Sequence, residues 1–318
     1  LTIRLEYQIL IALLLDFVLG DPRWFPHPVK LIGRFALFME SPLRKAFGNQ
    51  RLAGIMIVAL VAVVALLCAY GLIRVAGLVH PLAADIVSIV MLYTTFAARD
   101  LAGHGMAVYR ELKDGDLAAA RSKVSLLVGR DTEHLEEAEV VRATLESIAE
   151  NTVDGVTAPL FFAVIAGPLG AVLYKVLNTL DSTFGYKNDR YREFGWASAR
   201  MDDLANFIPA RLTALLIPVA AAILGLKPLD SFRILLRDGR KHPSPNSGLA
   251  EAAAAGALGV QFGGRNYYFG RPSERPAIGD ALRAMNREDI VRGIRLMFAV
   301  LVLAAILFLV LRRLWLGA

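Results

Sequence analysis

The chain alternates between long apolar runs and polar segments. Leu52–Ile73 (LAGIMIVALVAVVALLCAYGLI) carries no charge and is long enough to cross a bilayer core of about 30 Å at about 1.5 Å per residue. Leu296–Leu311 is a second such run, extended on its N-terminal side by Ile290, Val291 and Ile294. The remaining apolar stretches are interrupted or short: Asp16 lies within Ile9–Gly20, Pro218 within Leu212–Leu226, Gly167-Pro168 within Gly155–Tyr174, and Ile86–Ala98 is brief. The pattern predicts an all-α integral membrane protein, a single embedded domain over residues 1–318 with four to six membrane-embedded helices. The Gly167-Pro168-Leu169-Gly170 break frees backbone groups at membrane depth, which only protein or water can satisfy. It fits either a kinked span or a re-entrant hairpin near 155–177.

Four polar segments, about 21–51, 99–154, 178–206 and 227–288, separate the apolar ones. The first opens with GDPRWFPHPVK, whose prolines favour a rigid extended loop. The second reads as helices, with a turn at Asp114-Gly115-Asp116. The fourth combines a loop (HPSPNSG), an alanine-rich helix (LAEAAAAGALGV) and a glycine-rich coil (FGGRNYYFG). No internal repeat and no strand-like alternation stands out.

Composition agrees with a membrane chain. Hydrophobic residues make up 56% of the sequence, above the roughly 45–50% usual for soluble domains. The net charge of +6 is local: residues 21–51 hold six basic and two acidic side chains, and residues 227–288 hold ten and six. The positive-inside tendency puts both segments in the cytoplasm, and no basic stripe interleaved with aromatics suggests nucleic acid. Cys68, the only cysteine, has no partner for a disulfide or a thiolate metal site. The N-terminal stretch reads as an embedded helix and not a signal peptide, because Asp16 interrupts it and no cleavage pattern follows.

Candidate chemistry lies in the polar segments. Glu146, Glu150 and Asp154 recur at i, i+4 and i+8, one face of a helix, with Asn151 beside it. Like charges so spaced repel, so a cation, a basic partner or solvent must compensate. Farther on, Asn178, Asp181, Ser182 and Gly185 share a helical stripe, and Asp202-Asp203 cluster with Asn206 and Arg211. Carboxylate and amide oxygens are the hard donors that Mg²⁺ takes together with phosphate oxygens. Lys175, Lys187, Arg200 and Arg211 supply cations for a polyphosphate. Asp16 is an intramembrane carboxylate, and His27 and His242 are loop histidines suited to acid–base work. There is no GxxxxGK[ST] loop, no GxGxxG after a strand, no HExxH and no nucleophile elbow.

These stretches resemble the CobD/CbiB family, the membrane-bound adenosylcobinamide-phosphate synthases of cobalamin biosynthesis. The resemblance rests on DFVLGDPRWFPHPVKLIG at 16–33, ENTVDGVTAPLFF at 150–162, GPLGAVLYKVLNTLDS at 167–182, FGWASARMDDLANFIPARL at 194–212 and HPSPNSGLAEAAAAGALGVQFGG at 242–264. Thr183 stands where the family typically has methionine. The resemblance implies an ATP- and Mg²⁺-dependent ligase of the cell membrane, with a cytoplasmic active site. It would join aminopropanol or its O-phosphate to a carboxylate of adenosylcobyric acid through an acyl phosphate. Association with other late enzymes of the pathway is implied too. On this reading Glu150, Asp154 and Asp181 hold the metal, and Asn151, Lys175, Asn178, Lys187, Arg200 and Arg211 the nucleotide. Asp202, Asp203 and His27 are catalytic, and Asp21, His242, Ser244, Asn246 and Glu251 line the corrinoid or amine side.

Two rivals belong to other classes. A regulator of the AmpE type, broadly similar to this family, would keep the acidic motifs for structure and turn nothing over. A transporter would use Asp16 and the break at Gly167-Pro168, but no matching break appears in a second half.

Overall fold

The computed structural model describes residues 2–21, 27–186, 188–268 and 270–316, the side chains of residues 315 and 316 excepted. The helices, in chain order, begin with α1 (Leu5–Leu19), α2 (Pro28–Ala46), α3 (Gln50–Val79) and α4 (Pro81–Tyr93). Next come α5 (Ala98–Lys113), α6 (Leu117–Val124) and α7 (Glu137–Thr152), the last running into a π-helical turn, Val153–Thr157. After α8 (Ala158–Phe184), α9 (Trp196–Ala205) and α10 (Phe207–Ile223) follow α11 (Pro228–Asp238) and α12 (Ser247–Leu258). A hairpin of β1 (Phe262–Tyr268) and β2 (Arg271–Ile278) precedes α13 (Glu288–Leu316).

The all-α membrane class holds. Four stretches are long and apolar enough to cross a membrane, Gln50–Val79, Pro81–Lys113, Glu137–Phe184 and Glu288–Leu314, and α9 with α10 pass the same test as a pair. The chain is a multi-pass membrane protein. The hairpin departs from the sequence reading, which saw a coil there. Gly263, Gly264, Pro272 and Pro276 hide its alternation, and a bulge between Phe262 and Gly264 shifts its register.

By its contacts the chain divides into two compact units. Unit 1 comprises residues 1–97, 158–206 and 308–318. Here α3 packs on α2, α4, α8 and α9, and α1 packs on α4 and α8. Helix starts follow local chemistry: the Asn49 side chain caps α3 by accepting from the N–H groups of Arg51 and Leu52. His27 and His80 cap α2 and α4 in the same way, each followed by proline at the first helical position.

Within α8 the chain reverses. Ala166 (φ −128°, ψ 18°) and Gly167 (φ 64°, ψ −153°) leave the helical region, and Pro168 restarts the helix. The Phe162 and Tyr174 rings stack with centroids 5.3 Å apart. A continuous helix would separate residues 162 and 174 by about 18 Å along its axis. A Cβ on Gly170 would stand 2.4 Å from the Phe162 carbonyl oxygen, so the two arms touch backbone to backbone. The break is therefore a helical hairpin and not a simple kink.

Unit 2 comprises residues 98–157 and 207–307. Its centre is α12, packed against α7, α10, α11 and the hairpin. Ala250, Ala252, Ala253, Ala254, Ala255 and Ala257 are all buried. Small side chains let backbones meet: a Cβ on Gly256 would lie 2.6 Å from the Asp230 carbonyl oxygen, and the Ser231 hydroxyl donates to the Ala253 carbonyl at 2.7 Å. One residue breaks the apolar run of this core helix, and it is Glu251.

Candidate functional site

The HPSPNSG loop shapes the start of α12. The Ser244 N–H donates to His242 Nδ1 at 3.0 Å, and Ser244 Oγ accepts from the Asn246 and Ser247 N–H groups at 3.3 and 3.4 Å. This is the local side-chain turn that serine favours. A Cβ on Gly248 would meet His242 Cβ at 2.5 Å, so glycine is what lets the imidazole lie over the helix start. The Ser244 N–H on Nδ1 selects the neutral tautomer with its proton on Nε2, whereas a hydrogen bond from Arg275 Nη1 to Nε2 selects the other. Nε2 lies 3.9 Å from Glu251 Oε1 and 3.3 Å from Arg275 Nη1.

Glu251 is 2% exposed, and its Oε1 has no hydrogen-bond partner. Burial, reinforced by the negative charges of Glu150 and Glu146 and opposed by Arg275 and Arg130, holds its carboxyl well above the usual carboxylate range. Burial, with the Arg275 charge next, pushes His242 below its ordinary value. An acid raised and a base lowered in one buried corner is the arrangement from which acid–base pairs are built.

The surrounding charges are engaged. Glu146 pairs with Arg130 Nη2 and accepts the Gly263 N–H at 2.8 Å. Arg130 Nη1 donates to Asn266 Oδ1 at 2.6 Å, while Arg142 donates to the same oxygen at 3.2 Å and to the Arg265 carbonyl at 3.1 Å. Arg275 Nη2 donates to the Tyr268 hydroxyl at 2.8 Å. Glu150 Oε1 accepts the Ser247 hydroxyl at 2.9 Å. Asn246 Oδ1 accepts from Arg211 Nη1 at 3.3 Å, and the Arg211 guanidinium lies 3.4 Å from the centroid of the Phe207 ring.

Unit 2 thus brings together Glu150, Arg211, His242, Ser244, Asn246 and Glu251. Asn151 turns its amide to the Ser147 carbonyl, 2.9 Å away on its own helix. Asp154 falls in the π-helical turn just past the end of α7. Arg130, Arg142, Arg275 and Asn266 were not singled out from the sequence. Each is distant in the chain from the group it serves, and the one sequence signal is a carboxylate in an alanine helix that requires balancing charge.

Unit 1 holds the other candidates. The Asp202 carboxylate accepts from Asn178 Nδ2 at 3.4 Å and from Asn206 Nδ2 at 3.0 Å, and Asn206 Oδ1 accepts the Tyr174 hydroxyl at 2.9 Å. Arg200 pairs with Asp203 at 3.3 Å. The Asp181 carboxylate lies over Gly185, where a Cβ would stand 2.0 Å from its Oδ1. Lys175 borders an apolar cavity of about 540 Å³ that also includes Val61, Cys68 and Thr94. Asp21 lies 3.6 Å from His27 Nε2, while His27 Nδ1 caps α2. Lys187 lies outside the described residues. Among the described residues no three acid, imidazole or thiol groups converge to hold one metal ion.

The family model described as CobD/Cbib protein matches residues 9–297. The cobalamin biosynthesis protein CobD of Geobacter metallireducens is 52% identical over 290 residues, 91% of each chain. CobD of Pelobacter propionicus is 46% identical, over 94% of this chain and 93% of its own. The cobalamin biosynthesis protein CbiB of Salmonella typhi is likewise 46% identical, over 95% and 96%. No solved structure matches the chain.

Proposed function

The chain belongs to the CobD/CbiB family and takes part in cobalamin biosynthesis, and from that premise we propose that it is an amide synthase. The substrates are adenosylcobyric acid and (R)-1-amino-2-propanol or its O-phosphate. The reaction is driven by ATP with Mg²⁺, and the product is adenosylcobinamide or its phosphate. The observation that carries this reading is the buried Glu251–His242 corner built on the HPSPNSGLAE stretch. A buried carboxylate oxygen without a hydrogen-bond partner costs stability, which favours a functional reason for its place in the core of unit 2.

A carboxylate is a poor acyl donor, and the amine attacks only when neutral. The protein must hold a nucleotide, orient two substrates and accept a proton. Bound Mg²⁺-ATP supplies the phosphoryl group that activates the substrate carboxylate. The donors on unit 1 suit such a group, since a nucleotide-bound Mg²⁺ takes one or two carboxylates and completes its shell with phosphate oxygens. Asp181, Asp202 and Asp203 are assigned to it, with Asn178 beside them and Arg200, Lys175 and Lys187 for the phosphates. Asp154 and Asn151 are the further candidates from unit 2. Glu150, bonded to Ser247 and close enough for its charge to act on Glu251, is assigned to the condensation side with His242, Ser244 and Asn246. Arg211 holds Asn246 there. Asp21 and His27 remain candidates for the corrinoid.

The test is a mass-spectrometric endpoint assay on detergent-purified protein with adenosylcobyric acid, Mg²⁺-ATP and either amine. A corrinoid heavier by the condensed amine, formed only with both ATP and Mg²⁺, is expected. Folded protein that forms no product from either amine would instead favour a regulator of the AmpE type.

A further inference from the structure

Helices α10 and α11 follow one another closely in unit 2, joined by residues 224–227. α10 is apolar over 17 residues, about 26 Å, close to the thickness of a bilayer core. Its outer face, with Leu215, Val219 and Ile223 at i, i+4 and i+8, is exposed. α11 differs in length and in charge. Its 11 residues reach about 16 Å, too short to cross a bilayer, and they include Asp230, Arg233, Arg237 and Asp238. Ser231, Ile234, Leu235 and Asp238 form its buried face, and α11 packs on α10 and α12. On the opposite side Leu229, Phe232 and Leu236 are 85%, 45% and 71% exposed. Their spacing of three and four residues joins them in one stripe.

The charges around the stripe are uneven. Asp230 pairs with Arg233 at 3.2 Å, and Asp280 with Arg233 and Arg237 at 2.9 and 2.8 Å. Asp238 pairs with Arg237 and Lys241, both at 2.7 Å. Each of these acids is met by a base, while Lys227 and Arg240, at the two ends of α11, are exposed. We infer that α11 lies in the plane of the membrane interface as an anchor. Its Leu229–Phe232–Leu236 stripe enters the boundary of headgroups and acyl chains, and Lys227 and Arg240 meet the phosphates of acidic phospholipids. α10 brings the chain to the bilayer edge, and α11 continues along it. The anchor reaches the turn that carries His242. The Lys241 N–H donates to the Asp238 carbonyl at 2.9 Å, and a Cβ on Gly239 would stand 3.0 Å from Leu249 Cδ2. α11, the HPSPNSG turn and the start of α12 are thus one packed piece, which the anchor holds at the bilayer surface. The inference goes beyond the synthase reading and does not depend on it.

Fluorescence quenching on the full chain in phospholipid vesicles tests it, with Cys68→Ser and one thiol label placed by Leu236→Cys. Lipids brominated along the acyl chain quench from within the bilayer, and iodide on both faces quenches from water. The bromolipid is expected to remove most of the label's emission and iodide little of it. Leu229→Cys, at the other end of the stripe, gives the same reading if Leu236→Cys does not fold. In lipid mixtures, brominated phosphatidylglycerol should be preferred over brominated phosphatidylcholine about fivefold, the effect of one cation near an acidic surface. Lys227→Gln combined with Arg240→Gln should remove that preference. Strong quenching by iodide would put α11 in water and overturn the anchor. A label shielded from both quenchers would show the stripe covered by a second copy of the chain, which overturns it too. Equal quenching by the two brominated lipids overturns the role given to Lys227 and Arg240.

Discussion

Two buried carboxylates on neighbouring helices of unit 2, Asp238 and Glu251, are treated in opposite ways. Asp238, at the end of α11, is 0% exposed. It accepts from Arg237 Nε at 2.8 Å, Arg237 Nη2 at 2.7 Å and the Gly279 N–H at 2.8 Å, and pairs with Lys241 Nζ at 2.7 Å. Glu251, in the middle of α12, has a wholly unpartnered oxygen. Asp85 in unit 1 follows the first pattern, with donors from Thr2, Ile3 and Gln8, and so does Asp289, with Arg283, Arg292 and the Asn286 N–H. A buried carboxylate supplied with donors ties chain segments together. One left short of donors weakens the fold, and its burial makes sense when a ligand completes it.

The comparison breaks first at Glu251→Gln, which keeps the side-chain volume and removes the charge. Amide formation is expected to fall at least about a hundredfold, about 2.7 kcal/mol in the barrier, while the melting temperature holds or rises. A full loss of folded protein would put Glu251 in the class of Asp238. The reverse pattern is expected for Asp238→Asn. It should lose about 2 kcal/mol of stability, because Arg237 and Lys241 are partly solvated and soften the loss. Its rate per folded molecule should stay unchanged; a large drop in that rate would show that the α11 corner takes part in the chemistry. Gly248→Ala is subtler. The added methyl meets His242 Cβ, so about 1 kcal/mol of stability and a several-fold rate loss are expected, read by thermal shift and the endpoint assay. Wild-type rate and stability would mean that the HPSPNSG turn does not depend on this contact.

How much of this was legible in the sequence differs between fold and site. Leu52–Ile73 and Leu296–Leu311 announce α3 and α13 because a run without charge is a local property that lipid rewards wherever it folds. The break at Gly167-Pro168 was readable with kink and hairpin both open, and the stacking of Phe162 on Tyr174 with the approach of Gly170 to the Phe162 carbonyl separates the two. The HPSPNSG turn stood out as a loop of two prolines, whereas Glu251 entered only through the family resemblance. Their partners did not, because Arg130 and Arg275 acquire meaning only when distant segments meet.

The smallest effect is also the one that separates the two carboxylates most directly. Glu251 has its folded pKa raised above an unfolded value of about 4.3, so its contribution to stability is fully present below that value and lost as pH rises through the folded pKa. Asp238 has its pKa lowered, chiefly by the hydrogen bonds from Arg237, so its contribution is present above about pH 3.9 and lost as pH falls through the folded pKa. Melting temperatures from about pH 5 to about pH 8 should therefore show Glu251→Gln gaining on the wild type as pH rises, because the glutamine has no charge to bury. Below about pH 4 the disadvantage of Asp238→Asn should shrink, since acid then removes from the wild type the charge that the substitution removes. His242, held low by burial, has the sign of Asp238, so a His242→Gln background tests whether the alkaline slope belongs to Glu251 alone. If the Glu251→Gln and wild-type curves run parallel over the upper range, the carboxylate is ionised and satisfied in the empty protein, and the contrast with Asp238 is lost.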